Sequence, residues 1–92
     1  MQMDARTELM VIMMEECGEL IQACSKALRK DDFYDNQQLI EEVGDVYTMI
    51  EIMHDFDMIS WDDIDERVKK KRLKLSKWSS LIEEWEVERY SV

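Results

Sequence analysis

An all-α fold follows from three observations on this 92-residue chain. It has no proline and only two glycines. Its apolar residues recur at spacings of three and four, which is the period of a helix face. No stretch alternates as a half-buried strand does. The expected architecture is an antiparallel helical hairpin plus a third helix, forming a four-helix-type bundle on homo-oligomerisation. The length fits one domain over residues 1–92, with a helical core over about 4–78 and a C-terminal helix or tail over 79–92. So short a chain buries a modest fraction of its surface. A homodimer or homotetramer would supply the missing core.

The first helix is expected from about Asp4 to about Arg29, with Asp4 as N-cap. Lys30 to Asn36 breaks the apolar period and reads as a loop. The second helix starts near Asp35 or Asn36 and ends near Asp57. Ser60 begins the third, and with Asp63 it resembles a capping box in which aspartate replaces glutamate. Ile64, Val68, Lys71, Leu75 and Trp78 lie near one face of that helix. Ser79 to Val92 mixes Leu81, Ile82, Trp85 and Val87 with acids, so a short helix with a frayed end is expected.

Two stretches stand out within these runs. Glu15-Glu16-Cys17-Gly18-Glu19-Leu20 and Glu41-Glu42-Val43-Gly44-Asp45-Val46 share the pattern E-E-x-G-acid-aliphatic. Residues three apart share a helix face, so Glu16 pairs with Glu19 and Glu42 with Asp45. The acids interrupt apolar stripes. Leu9, Met13, Glu16, Leu20 and Ala23 form one, and Leu39, Glu42, Val46, Met49 and Met53 form the other. Inward-looking carboxylates are costly unless paired. Four of them between two helices call for a cation, and hard oxygen ligands suit Mg²⁺ or Mn²⁺. A glycine inside a helix costs roughly 1 kcal/mol relative to alanine. Two at matched places suggest close approach of backbones beside the acids. The competing reading is a pair of solvated acidic faces, since E-x-x-E pairs arise by chance in so acidic a chain. The matched glycines and the place of the acids within the stripes favour the metal site.

The formal charge of −10 argues against nucleic-acid or anionic-membrane partners. It leaves room for a phosphorylated ligand, because bound divalent ions reverse the local field. No signal peptide and no apolar run long enough to span a bilayer are apparent, so a cytoplasmic protein is expected. Cys17 and Cys24 are two helical turns apart, with Cα atoms about 10 Å from each other, too far for a disulfide. Both read as reduced core residues.

Several other residues bear on function. Lys26 lies two turns beyond Glu19 on nearly the same face and reaches toward a bound phosphate, or else snorkels from the helix end. Lys69 to Arg72 with Lys74 form the strong basic cluster. Lys71 and Lys74 would meet substrate phosphates, or would simply balance the acidic helices. Glu15 is next to a ligand position but about 100° round the helix. It is a candidate general base or a surface acid. Glu51-Ile52-Met53-His54 has the E-x-x-H spacing of di-iron bundles, but Glu51 falls about half a turn out of phase with Glu42. His54 reads as a surface or helix-end histidine. Among the aromatics, Phe33, Tyr34 and Tyr47 are the better candidates to stack on a base. The eight methionines suggest a soft core. The hydroxyls lack a nearby histidine, which leaves nucleophilic catalysis without support.

The paired motif, E-E-C-G-E-L then E-E-V-G-D-V, resembles the E-x-x-E … E-x-x-D signature of the MazG-like all-α NTP pyrophosphohydrolases. Leu20-Ile21-Gln22-Ala23 with Lys26, Asn36 before the second motif, and Lys74-Leu75-Ser76-Lys77-Trp78 are similar to small phage and bacterial members. The resemblance covers about Leu9 to Trp78. It implies a nucleotide-pool hydrolase that converts a (d)NTP to the monophosphate and pyrophosphate with Mg²⁺. It also implies Glu16, Glu19, Glu42 and Asp45 as the metal ligands. In larger members a long N-terminal extension often helps shape the base pocket; none is expected here, which leaves the choice of base open. The alternatives are a non-catalytic helical interaction protein and a di-iron carboxylate protein.

Overall fold

The computed structural model describes residues 3–81, and these hold three helices and no strand. Helix α1 is Ala5–Lys30, α2 is Gln37–Asp55 and α3 is Trp61–Trp78. The chain divides into two compact units, Met1–Met58 and Ile59–Val92. The first unit is the α1–α2 hairpin. The helix expected after Ser79 lies largely outside the described residues, and Ser79, Ser80 and Leu81 are not helical.

Each helix starts where a short polar side chain satisfies a free amide. Asp4 accepts from the Thr7 amide at 2.8 Å, and Asn36 accepts from that of Leu39 at 3.1 Å. Ser60 accepts from the Asp63 amide at 3.3 Å. Asn36 also donates to the Asp32 carbonyl at 3.0 Å, which ties the loop to the start of α2.

The hairpin helices end alike. Asp31 has φ 50° and Asp57 has φ 57°, both left-handed. The Asp31 and Asp32 amides donate back to Leu28 and Ala27, and the Asp57 and Met58 amides to His54 and Met53. These are paired 5→2 and 6→1 bonds of Schellman type, usually built on glycine. Aspartate tolerates the conformation better than most residues. The turn at Asp57 makes α2 end at Asp55, two residues before the expected end.

The seam between α1 and α2 follows the expected stripes. Leu9, Ala23, Ala27 and Met49 are buried, and Met13, Leu20, Leu39, Val46 and Met53 are half-buried. Two alanines in the seam let the helices approach closely. Other expectations fail. Cys24 is exposed and only Cys17 is half-buried, its thiol 3.8 Å from the Met13 sulfur. Met3, Met10, Met14 and Met58 are exposed, so the methionines are not all core. The glycines do not mark a close approach. A Cβ built on Gly18 or Gly44 meets nothing within 4 Å.

Candidate metal centre

Antiparallel pairing of α1 and α2 brings the two acidic motifs face to face. Glu16 and Glu19 sit midway along α1, and Glu42 and Asp45 sit in the first half of α2. One carboxylate oxygen from each can be chosen so that all four lie within 4.8 Å of one another. It is the one such group of acids, cysteines or histidines among the described residues. Glu16 and Glu42 are half-buried on the seam side, while Glu19 and Asp45 are exposed at the rim. The cluster therefore opens to solvent along one edge of the hairpin.

The electrostatics are those of crowded, partly buried carboxylates. Burial pushes the Glu16 carboxyl above its ordinary range, and the charges of Glu19 and Asp45 push it further. Glu42 is raised by burial first and by the neighbouring Glu19 second. The Oε2 atoms of Glu16 and Glu42 are both buried without a hydrogen-bond partner. A buried acceptor left unpaired costs free energy, and here two of them belong to residues of one acidic cluster. A divalent cation with oxygen preference would satisfy both and cancel the mutual repulsion.

The MazG nucleotide pyrophosphohydrolase domain model matches residues 5–77. The chain belongs to this family. The match takes in α1, α2 and α3 as far as Lys77. Comparison with curated proteins and with solved structures gives no significant match.

Around the acid cluster of this MazG domain, the other sequence candidates fall in different places. Glu15 is exposed and outside the group of four, though its charge contributes to the shift at Glu16. Lys71 and Lys74 are exposed on α3, in the second unit. Glu51 is exposed. His54 lies in the last turn of α2, with its Nδ1 4.0 Å from an Asp55 oxygen. Neither joins the cluster, so the E-x-x-H spacing assembles no second set of ligands among the described residues. Phe33, Tyr34 and Tyr47 are all exposed.

Lys26 sits in a groove that sequence reasoning did not assemble. Ile21, Gln22, Ser25, Lys26, Arg29 and Gln38 line a volume of about 470 Å³. Gln22 follows Glu19 by three residues, and Gln38 precedes Glu42 by four. Helical spacing alone thus puts both next to the acids. The signal was present in the sequence, but neutral amides do not stand out as charged motifs do.

Proposed function

We propose that this MazG domain is a Mg²⁺-dependent nucleoside triphosphate pyrophosphohydrolase, with Mn²⁺ as a substitute ion. It would convert a (d)NTP of the cytoplasmic pool to the monophosphate and pyrophosphate. The observation that carries the reading is the convergence of Glu16, Glu19, Glu42 and Asp45, with two of their oxygens buried and unpartnered. These four residues would hold the ion. When bound, Mg²⁺ neutralises charge on the phosphate oxygens and lowers the pKa of a bound water.

The chain's own residues then have distinct tasks. Glu16 and Glu42 anchor from the seam, and Glu19 and Asp45 close the site from the rim. Water attacks the α-phosphorus, forming a new P–O bond. The bond from that phosphorus to the bridging oxygen breaks, and pyrophosphate leaves with the electron pair. Glu15, exposed beside Glu16, is the candidate acceptor of the water's proton. Lys71 and Lys74 are candidate phosphate contacts.

The functional unit in this reading is one domain over residues 1–92, assembled as a homodimer or homotetramer with a four-helix-type bundle. The support is exposed apolar surface. Met14, Ile21 and Leu28 on α1 are 67%, 69% and 70% exposed. Ile40, Val43 and Tyr47 on α2 are each half exposed or more. By helical phase, all six lie on the sides of their helices turned away from the acids. Isolated surface hydrophobics are ordinary, but two stripes on adjacent helices support the reading of an interface.

A screen of canonical and damaged NTPs and dNTPs for pyrophosphate release, with millimolar Mg²⁺, tests the activity. Release from at least one of them is expected. No release from any, with no Mg²⁺-dependent rise in melting temperature, would leave the helical interaction protein as the better reading.

A further inference from the structure

We infer that the groove beside the acid cluster is the seat of the pyrophosphate end of the substrate, with Lys26 and Arg29 as its phosphate-binding residues. This inference rests on the pyrophosphohydrolase reading above and assigns the direction in which the substrate lies.

By helical spacing, the groove's lining continues from the acids toward the C-terminal end of α1. Glu19, Gln22, Lys26 and Arg29 follow one another at spacings of three and four. Lys26 is about 10 Å beyond Glu19 along the axis. Helical side chains lean toward the N-terminus of their helix, so Lys26 and Arg29 lean back toward the acids. Arg29 shows this lean directly, with its Nη1 donating to the Ser25 hydroxyl at 3.0 Å. Across the seam, Gln38 of α2 closes the groove.

The chemistry of the lining selects the occupant. Two cations, a hydroxyl and two amides offer hydrogen-bond donors, and Ile21, by helical phase on the side of the groove farthest from the acids, is the one apolar side chain. No aromatic side chain lines the groove, so a base would find no stacking partner there. No salt bridge to an acid engages Lys26 or Arg29 among the described residues. In a chain of net charge −10, two cations with no acidic partner among the described residues, roughly two to three turns beyond Glu19 on α1, are a local reversal of sign. The β- and γ-phosphates of a triphosphate whose α-phosphate meets the metal carry the charge that such a lining would bind. The arginine adds a planar fork suited to two phosphate oxygens.

Calorimetric binding of inorganic pyrophosphate, with saturating Mg²⁺, reads the groove without turnover. The parent should bind it. Lys26→Gln and Arg29→Gln should each weaken binding about tenfold, the size of one lost charge-assisted hydrogen bond. Arg29→Lys should lie closer to the parent. Lys30→Gln, the same loss of charge outside the groove, should bind as the parent does. Binding of the nucleoside monophosphate should be unchanged in all four. Both target side chains are exposed, and melting curves on the same samples confirm the fold. The inference is overturned if the parent does not bind pyrophosphate, or if Lys30→Gln weakens it as much as Arg29→Gln. It is also overturned if the groove variants lose the monophosphate and keep pyrophosphate, since the groove then holds the nucleoside. Groove-dependent pyrophosphate binding by a protein that cleaves no NTP supports the groove and sinks the enzymatic reading.

Discussion

Glu16 and Glu42 each bury one carboxylate oxygen that nothing in the hairpin satisfies. Their carboxyls titrate above the ordinary 4.5, so the folded chain holds these protons longer than the unfolded chain does. The sign follows by linkage. Their contribution to stability is full below about 4.5 and is lost as pH rises through the raised values. The metal-free melting temperature should therefore fall as pH rises across that window, and Glu42→Gln should flatten the fall. Saturating Mg²⁺ should reverse the trend, because the ion binds the ionised form. Glu19→Ala and Asp45→Ala should cut turnover by several orders of magnitude. Both should leave the metal-free melting temperature unchanged or higher, because one member of a repelling set is gone. Glu51→Ala should change neither. Near-parental turnover in both ligand variants would refute the assignment of the site. The four acids were legible because charge placed inside an apolar stripe has few explanations. Gln22, Gln38 and Arg29 were not, because polar residues on an exposed helix face look the same with or without a groove beneath them.

At the scale of the element, helix starts were easier to read than helix ends. Asp4 and Ser60 carry the caps expected of them, and Asn36 was one of two candidates. Asp31 and Asp57 take left-handed backbone with no glycine to announce it. Each leaves an acid where the helix dipole favours a cation. Asp57→Gly should stabilise the hairpin by up to about 1 kcal/mol, seen as a higher denaturant midpoint with an unchanged slope. The glycines mislead in the opposite direction. Both lie mid-helix with open space where a Cβ would stand. Gly18→Ala should stabilise the folded chain by roughly 0.5–1 kcal/mol through helix propensity alone. A loss of stability in that variant would mean that the space is filled in the working protein.

For the whole molecule, the hairpin is underfilled. Its buried residues are Leu9, Ala23, Ala27 and Met49, and two of these are alanines. The larger hydrophobics Ile21, Leu28, Ile40 and Tyr47 face outward. Sedimentation at micromolar concentration should show a dimer or tetramer. Ile21→Glu with Val43→Glu should shift it toward monomer with a lower melting temperature. The presence of helices was legible in the period of the sequence, but the outward-facing stripes were not. Periodicity marks a face as apolar without saying whether it meets its own chain or another. The slender seam also gives the acid cluster a second role. A seam with few fully buried side chains discriminates weakly between one alignment of two helices and another displaced by a turn. The four carboxylates do not share that tolerance, because sliding α2 by one turn along α1 would part Glu42 and Asp45 from Glu16 and Glu19. A bound cation would thus act as a vernier, fixing the longitudinal setting of the hairpin as well as holding the substrate.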